Sequence, residues 1–127
     1  MDNQASTFYF IPHTHWEGAV FKTRVEYLDM GLPNILRALR LLKRYPAYRF
    51  VLDQSAYVQP FLERYPEERA AFQQFVDDGR LVMAGGMLVM PDVNMPGGES
   101  FVRQIMIGKR FFRQALNVDV TSGWPRS

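Results

Sequence analysis

Short runs rich in apolar residues alternate along this chain with longer segments of helical period, and this alternation limits its fold more than any other feature. Four runs of four or five residues predict strands, and they lie at residues 7–11, 48–52, 80–84 and 118–121. Four segments with apolar side chains three and four residues apart predict helices, and they lie at residues 22–45, 57–65, 66–78 and 99–116. Strands that alternate with helices are typical of an α/β fold with parallel strands.

The first strand and the first helix of this pattern carry more detailed expectations. Residues 7–11 are apolar almost throughout, which predicts a strand that is buried on both faces. Pro33 interrupts the first helical segment, and a proline removes a backbone hydrogen bond and favours the first turn of a helix. We therefore predict two helical pieces, with a break near Gly31 and Leu32.

Polar or glycine-rich sequence follows every predicted strand. These positions are residues 13–17, Asp53 and Gln54, Gly85 and Gly86, and Gly123 and Trp124. The carboxyl ends of parallel strands meet at one edge of a sheet, and α/β proteins bind their ligands there. The sequence therefore predicts a binding site at this edge.

Residues 13–17, His-Thr-His-Trp-Glu, form the most informative of these polar segments. Alternate side chains of an extended chain share a face, so His13, His15 and Glu17 are expected to point the same way. Imidazole nitrogen and carboxylate oxygen are good zinc ligands, and the chain has only these two histidines. A zinc site needs three or four ligands, and this segment supplies at most three. The alternative is that both histidines are structural.

Composition excludes several classes of protein. The 127 residues suffice for one domain with a core, and 47% of them are hydrophobic, which is too apolar for disorder. The absence of cysteine excludes disulfides, thiolate zinc sites and a cysteine nucleophile. A net charge of +2 gives no strong field for nucleic acid or an anionic membrane. No apolar run reaches about 18 residues and no signal peptide is recognisable, so we expect no membrane span and a cytoplasmic location.

Seven short segments form a recognisable series when they are taken in order. They are His-Thr-His-Trp-Glu at 13–17, Phe-Val-Leu-Asp-Gln-Ser at 50–55, Tyr-Pro-Glu at 65–67, Gly-Arg-Leu at 79–81, Gly-Gly at 85–86, Met-Pro-Asp at 90–92 and Gly-Glu-Ser-Phe-Val-Arg-Gln at 98–104. Each segment is weak alone. Together and in this order they make nearly the whole chain similar to the N-terminal catalytic domain of glycoside hydrolase family 38, the α-mannosidases.

The resemblance implies a fold and a metal site. The fold would be an irregular barrel of seven parallel strands wrapped by helices, of which residues 1–127 would form the first part as a single partial domain. A zinc ion at the carboxyl ends of the strands would be bound by His15 and Glu17, while His13 would be structural. The family usually has Asp where this chain has Glu17, and the extra methylene would place the metal slightly farther from the backbone.

The resemblance also implies an activity, the retaining hydrolysis of terminal α-mannosidic bonds. That reaction needs two carboxyl groups about 5–5.5 Å apart, one as nucleophile and one as acid/base. In the family the nucleophile lies in an Asp-x-Phe-Gly-His segment after the fourth strand, whereas here Gly123 and Trp124 are followed by only three residues. We therefore expect a truncated enzyme that lacks both catalytic residues, binds zinc weakly and does not hydrolyse an α-mannoside or oligosaccharide by itself.

Asp53 and Asp92 are the candidate substrate-binding residues, because each could face a sugar pocket near the end of a predicted strand. Asp53 could instead cap the helix that follows it, and Asp92 could form a turn. Trp16 and Trp124 could stack on a sugar ring or belong to the core.

Two alternatives to an α-mannosidase are compatible with some of these residues. A metal-dependent polysaccharide deacetylase would also use nitrogen and oxygen ligands at strand ends, but it carries paired aspartates and a His-x-x-x-His motif, which this chain lacks. A non-catalytic α/β domain would use the same histidines and glutamate structurally. Self-association is expected in any partial barrel, because an open sheet edge with uncovered apolar surface favours pairing with another chain.

Overall fold

Helices and strands alternate in the structure as the sequence predicts. This computed structural model describes residues 6–16 and 20–123 of the chain. Its elements are α1 (Arg24–Arg44), β1 (Phe50–Gln54), α2 (Ser55–Arg64), a 3₁₀ turn (Pro66–Glu68), α3 (Arg69–Asp77), β2 (Leu81–Met87) and α4 (Gly98–Leu116). Since β1 and β2 pair in parallel, the predicted α/β class is confirmed.

The α1 helix runs without a break through Pro33, so the predicted division into two helices is wrong. The helix begins at a capping box, in which Thr23 Oγ1 accepts from the Glu26 N–H and Glu26 Oε2 accepts from the Thr23 N–H. Pro33 is exposed, whereas Leu32 and Ile35 belong to a buried stripe along the helix. Burying each such side chain contributes about 1.5–3 kcal/mol, so the stripe outweighs the roughly 3 kcal/mol that an internal proline costs.

The first apolar run, residues 7–11, does not form the buried strand that its composition predicts. These residues are extended coil, and Phe8 is 87% exposed. Parallel pairing with β1 begins later, where the Val51 N–H donates to the Pro12 carbonyl at 3.0 Å and the Thr14 N–H donates to the Val51 carbonyl at 3.2 Å. Register, rather than local hydrophobicity, therefore decides which residues of this segment meet the sheet.

The fourth apolar run, residues 118–121, is likewise not a strand within the described part of the chain. Val120 is buried, and the Gly85 N–H donates to the Ser122 carbonyl at 2.9 Å. The segment therefore lies beside the end of β2 without the regular hydrogen-bond ladder that defines a strand.

The pairing of β1 with β2 changes register close to the ends of the two strands. Leu52 pairs with Met83, but the next pair lies two residues along β1 and four residues along β2. Gly85 and Gly86 occupy the longer stretch with φ angles of 72° and 64°, a region that glycine enters without steric cost. This irregularity is a bulge, and it redirects the end of β2.

The core lies between the sheet and the helices. α3 and α4 pack against β2, and α1 packs against α2. The largest fully buried side chains are Phe61, Phe72 and Phe112. At Gly108, α4 approaches the backbone of Gly86 and Met87 so closely that a β-carbon would overlap with it. This close contact sets the position of α4 relative to the end of β2.

Candidate functional site

The segment that carries the two histidines alternates its side chains as an extended chain does. Thr14 is buried, while its neighbours His13 and His15 are exposed on the other side. Thr14 Oγ1 donates to Asp53 Oδ1 at 3.2 Å, and His13 Nδ1 donates to the Thr14 carbonyl at 2.8 Å. This alternation agrees with the shared face expected for His13 and His15, while Glu17 lies outside the described residues, and the bond from His13 agrees with a structural role for that residue.

The zinc ligands predicted from the sequence stay a prediction. His15 lies exposed next to the end of β1, whereas Glu17 lies outside the described residues. Within residues 6–16 and 20–123, no group of three or more His, Asp or Glu side chains is placed to hold a metal ion. The described residues alone therefore do not make a zinc site, and any such site requires ligands besides His15.

Asp53 is a buried carboxyl group at the end of β1, with only 3% of its surface exposed. It accepts from Thr14 Oγ1 and, at 3.5 Å, from Gln54 Nε2. Burial raises the pKa of Asp53 above its ordinary value, and these donors together with the nearby His13 only partly oppose the rise. The helix-cap alternative for Asp53 is wrong, because the N-cap of α2 is Gln54 and no side chain caps that helix.

We expect Asp53→Asn to be more stable than the wild type at pH 7, with a gain that shrinks towards pH 4. A carboxyl group whose pKa is raised by folding binds its proton more tightly in the folded state. Folding stability therefore falls as the pH rises from the ordinary pKa of 3.8 through the raised one. Asparagine does not titrate and still accepts from Thr14. Urea unfolding at both pH values measures the gain, and an equal gain at both would show that the charge of Asp53 plays no part.

Through one buried amide group, Gln54 joins the end of β1 to the segment with the two histidines and to the segment that follows β2. Its Nε2 donates to the Trp16 carbonyl at 3.3 Å, and its Oε1 accepts from the Met90 N–H at 3.1 Å. The sequence places Gln54 at the end of β1 but gives no sign of these contacts, which lie 38 and 36 positions away along the chain. The predicted convergence of the polar residues is confirmed for residues 13–16 and the end of β1, and the contact with Met90 adds a position that was not predicted.

Asp92 forms a turn in the segment that connects β2 to α4. Its Oδ1 accepts from the Asn94 N–H at 2.9 Å, and the residue is exposed. This is the side-chain turn that the sequence offers as one alternative. Contact of Asp92 or Asp53 with a sugar is not tested by this geometry and stays a prediction.

Trp16 belongs to the packed part of the molecule, as the core alternative predicts. Its ring stacks on Tyr57 with centroids 4.8 Å apart, and it packs against the backbone at Gly31 of α1 so closely that no β-carbon fits there. Trp16 Nε1 is buried and has no hydrogen-bond partner in the described residues. Trp124, the other candidate for stacking on a sugar, lies outside those residues.

An open cavity of about 350 Å³ adjoins residues 13–16, which we call the histidine segment, on the side of α1. Its lining residues include no Asp or Glu, and they are His13, Thr14, His15, Trp16, Asn34, Arg37, Ala38, Leu41, Tyr48 and Phe50. Sequence reasoning missed Asn34 and Arg37, because helical spacing marks a position as exposed without showing what it faces. It also missed Tyr48, which it placed in the second predicted strand without indicating what the side chain contacts. The cavity offers hydrogen-bond donors beside His15.

Comparison with models of known protein families shows to which family this chain belongs. Residues 5–126 match the model described as "Glycosyl hydrolases family 38 N-terminal domain". The chain belongs to this family. The family resemblance predicted from the motifs is thus confirmed. Enzymes of family 38 are generally zinc-dependent.

Individual proteins similar to this chain agree with the family match. Human Alpha-mannosidase 2C1 is 34% identical over 118 residues, which make up 93% of this chain and 11% of that protein. Alpha-mannosidase of Saccharomyces cerevisiae is 36% identical over 85 residues, 66% of this chain and 8% of that protein. The chain therefore spans about a tenth of the length of the curated relatives it matches.

Solved structures of the family share the fold. An alpha-mannosidase from Enterococcus faecalis V583 superposes with a TM-score of 0.74 at 23% identity, over 91% of this chain and 12% of that one. A glycosyl hydrolase family 38 protein from Enterococcus faecalis gives a TM-score of 0.73 at 25% identity, over 90% and 13% of the two chains. Among the described residues of our chain, no helix has both the length and the apolar character needed to cross a membrane.

Proposed function

We propose that this chain forms the first part of the catalytic domain of a retaining α-mannosidase, which hydrolyses terminal α-mannosidic bonds in a mannoside or oligosaccharide. The observation that carries the proposal is the family match over residues 5–126, together with relatives named as alpha-mannosidases. The irregular seven-stranded barrel is part of the proposal. Within it, the histidine segment, β1 and β2 would be neighbouring strands.

In this proposal His15 and Glu17 bind the zinc ion at the carboxyl ends of the strands. An imidazole nitrogen and a carboxylate oxygen suit zinc, and the exposed position of His15 leaves its ring accessible. The other zinc ligands and the two catalytic carboxyl groups would come from the remainder of the domain. Asp53 is buried against Thr14 and Gln54, so its role would be to hold the histidine segment rather than to attack the sugar.

A chimaera tests the proposal directly. The 127 residues would replace the matching segment of human Alpha-mannosidase 2C1, and hydrolysis of an aryl α-mannoside would be measured with zinc present. We expect activity that His15→Ala lowers about 100-fold or more, since even residues that merely support a metal ligand are worth 10–100-fold.

His13→Ala is the matched control for this experiment, and we expect it to keep most of the activity because His13 is proposed to be structural and its Nδ1 donates to the carbonyl of its neighbour Thr14. Equal activity of the His15→Ala and unmutated chimaeras would contradict the zinc role. A folded chimaera, judged by its thermal melting, that hydrolyses β-glucosides but not α-mannosides would contradict the substrate.

Three expectations about the separate 127-residue chain belong to the same proposal. They are the absence of turnover, weak zinc binding and self-association through the exposed edge of the partial barrel, which light scattering would detect. A cytoplasmic location likewise stays a prediction. Fractionation of cells that express the natural protein would test it.

A further inference from the structure

Gln54 occupies a position that only an amide side chain can satisfy fully. The residue is 2% exposed, and its amide uses both its donor and its acceptor. The donor reaches the Trp16 carbonyl, which lies between the proposed zinc ligands His15 and Glu17 in the sequence. An ionised glutamate at this position would accept but not donate, and a methionine would donate nothing and accept only weakly.

The acceptor of Gln54 holds the segment that follows β2. This segment, residues 88–97, is called the connecting loop below. Its first residues are fixed from three sides: the Met90 N–H donates to Gln54, the Val89 N–H donates to Gln104 of α4 at 3.1 Å, and the Leu88 carbonyl accepts from the Ala56 N–H of α2 at 2.9 Å. Gln54 also donates to the Trp16 carbonyl of the histidine segment.

We infer that Gln54 is a positioning residue, which fixes the histidine segment and the connecting loop relative to one another. This inference deepens the proposed function, because the loop and His15 would border the same edge of the sheet. The two hydrogen bonds act at separate places, so each can be removed with a different substitution. The carbonyl of Trp16 needs the donor, and the N–H of Met90 needs only the acceptor.

Amide hydrogen exchange measured residue by residue by NMR on the 127-residue chain tests this inference. In Gln54→Met the bonds to the Trp16 carbonyl, the Met90 N–H and Asp53 are all lost. We expect the Met90 amide, and the Thr14 amide that pairs the histidine segment with Val51, each to exchange about fivefold faster, the worth of one hydrogen bond. In Gln54→Glu the carboxylate can still accept from the Met90 N–H, so the Met90 amide should keep its protection. The carboxylate cannot donate to the Trp16 carbonyl and faces Asp53, so the Thr14 amide should lose its protection. Such separate responses of the two amides would show that Gln54 holds the histidine segment and the connecting loop through different hydrogen bonds.

Gln59→Met is the matched control. Gln59 lies on α2, is exposed and donates to Glu63, so its loss should leave the Thr14 and Met90 amides unchanged. Faster exchange of all amides by the same factor in both Gln54 variants would overturn the inference, because Gln54 would then contribute only to overall stability. Unchanged exchange at both amides would overturn it as well.

Zinc titration by calorimetry separates this inference from the proposed function. If the wild-type chain binds zinc and Gln54→Met binds it about tenfold more weakly, both are supported, since residues that orient metal ligands are worth 10–100-fold in affinity. If the wild-type chain takes up no zinc, the weak binding expected of the separate chain is contradicted, while the zinc role of His15 is decided by the chimaera and the positioning role by the exchange pattern. Equal zinc affinity in the two proteins would overturn the link between Gln54 and His15.

Discussion

Gly108→Ala is expected to lower the free energy of unfolding by about 2 kcal/mol or more. The added β-carbon would overlap with the backbone of Gly86 and Met87, and backbone atoms cannot rotate away as a side chain can. Overpacking costs about 1–3 kcal/mol or more, and the upper end applies here because α4 would have to move away from β2. Alanine returns only about 1 kcal/mol through its better helix propensity.

Urea unfolding followed by far-UV circular dichroism measures this change. Gly98→Ala is the matched control, since Gly98 also lies in α4 but has nothing within 4 Å of the position of an added β-carbon. The control should be as stable as the wild type or slightly more so. A Gly108→Ala protein that unfolds at the same urea concentration as the Gly98→Ala protein would refute the close packing of α4 against β2.

Gly31→Ala is expected to destabilise the chain by about 1 kcal/mol and to displace the ring of Trp16. The β-carbon would overlap with the outer edge of the indole, so the ring must leave its stack with Tyr57 or α1 must shift. Overpacking of about 1–3 kcal/mol again exceeds the roughly 1 kcal/mol gained from helix propensity. Because Trp16 follows His15 directly, the displacement should also disturb the proposed zinc ligand.

A double-mutant cycle with Trp16→Phe assigns this effect to the contact. The smaller ring leaves room for the β-carbon, so Gly31→Ala should cost less in the Trp16→Phe background than in the wild type. The free energies of unfolding of the four proteins give the coupling. A cost that is equal in both backgrounds would show that the indole is not what excludes a side chain at this position.

The spacing of apolar residues predicted the helices well, because this spacing is a property of each helix by itself. The segment predicted at residues 99–116 is α4 almost to the residue, since its apolar spacing and its packing face agree. Pro33 shows where a local rule fails: its cost acts on one hydrogen bond, whereas the buried stripe of α1 acts along the whole helix. A local rule cannot weigh these two contributions against each other.

The sheet was harder to predict, and the contacts of the site harder still. Residues 7–11 have the composition of a buried strand, but pairing with β1 begins at Pro12, and composition carries no information on register. The sequence correctly places Asp53 and Gln54 at an edge. It contains no signal for their partners Thr14 and Met90. The chain passes through α1 between Thr14 and Asp53, and through α2, α3 and β2 between Gln54 and Met90.

The separation between Thr14 and Asp53 also has a consequence for the order of folding. The two residues lie 39 positions apart, with all of α1 between them. Closing a loop of this length costs entropy before the contact yields any stabilisation, so the histidine segment should dock only after α1, β1 and α2 have assembled. The residues proposed to bind zinc would then be the last part of the site to form and the first to detach when the protein opens.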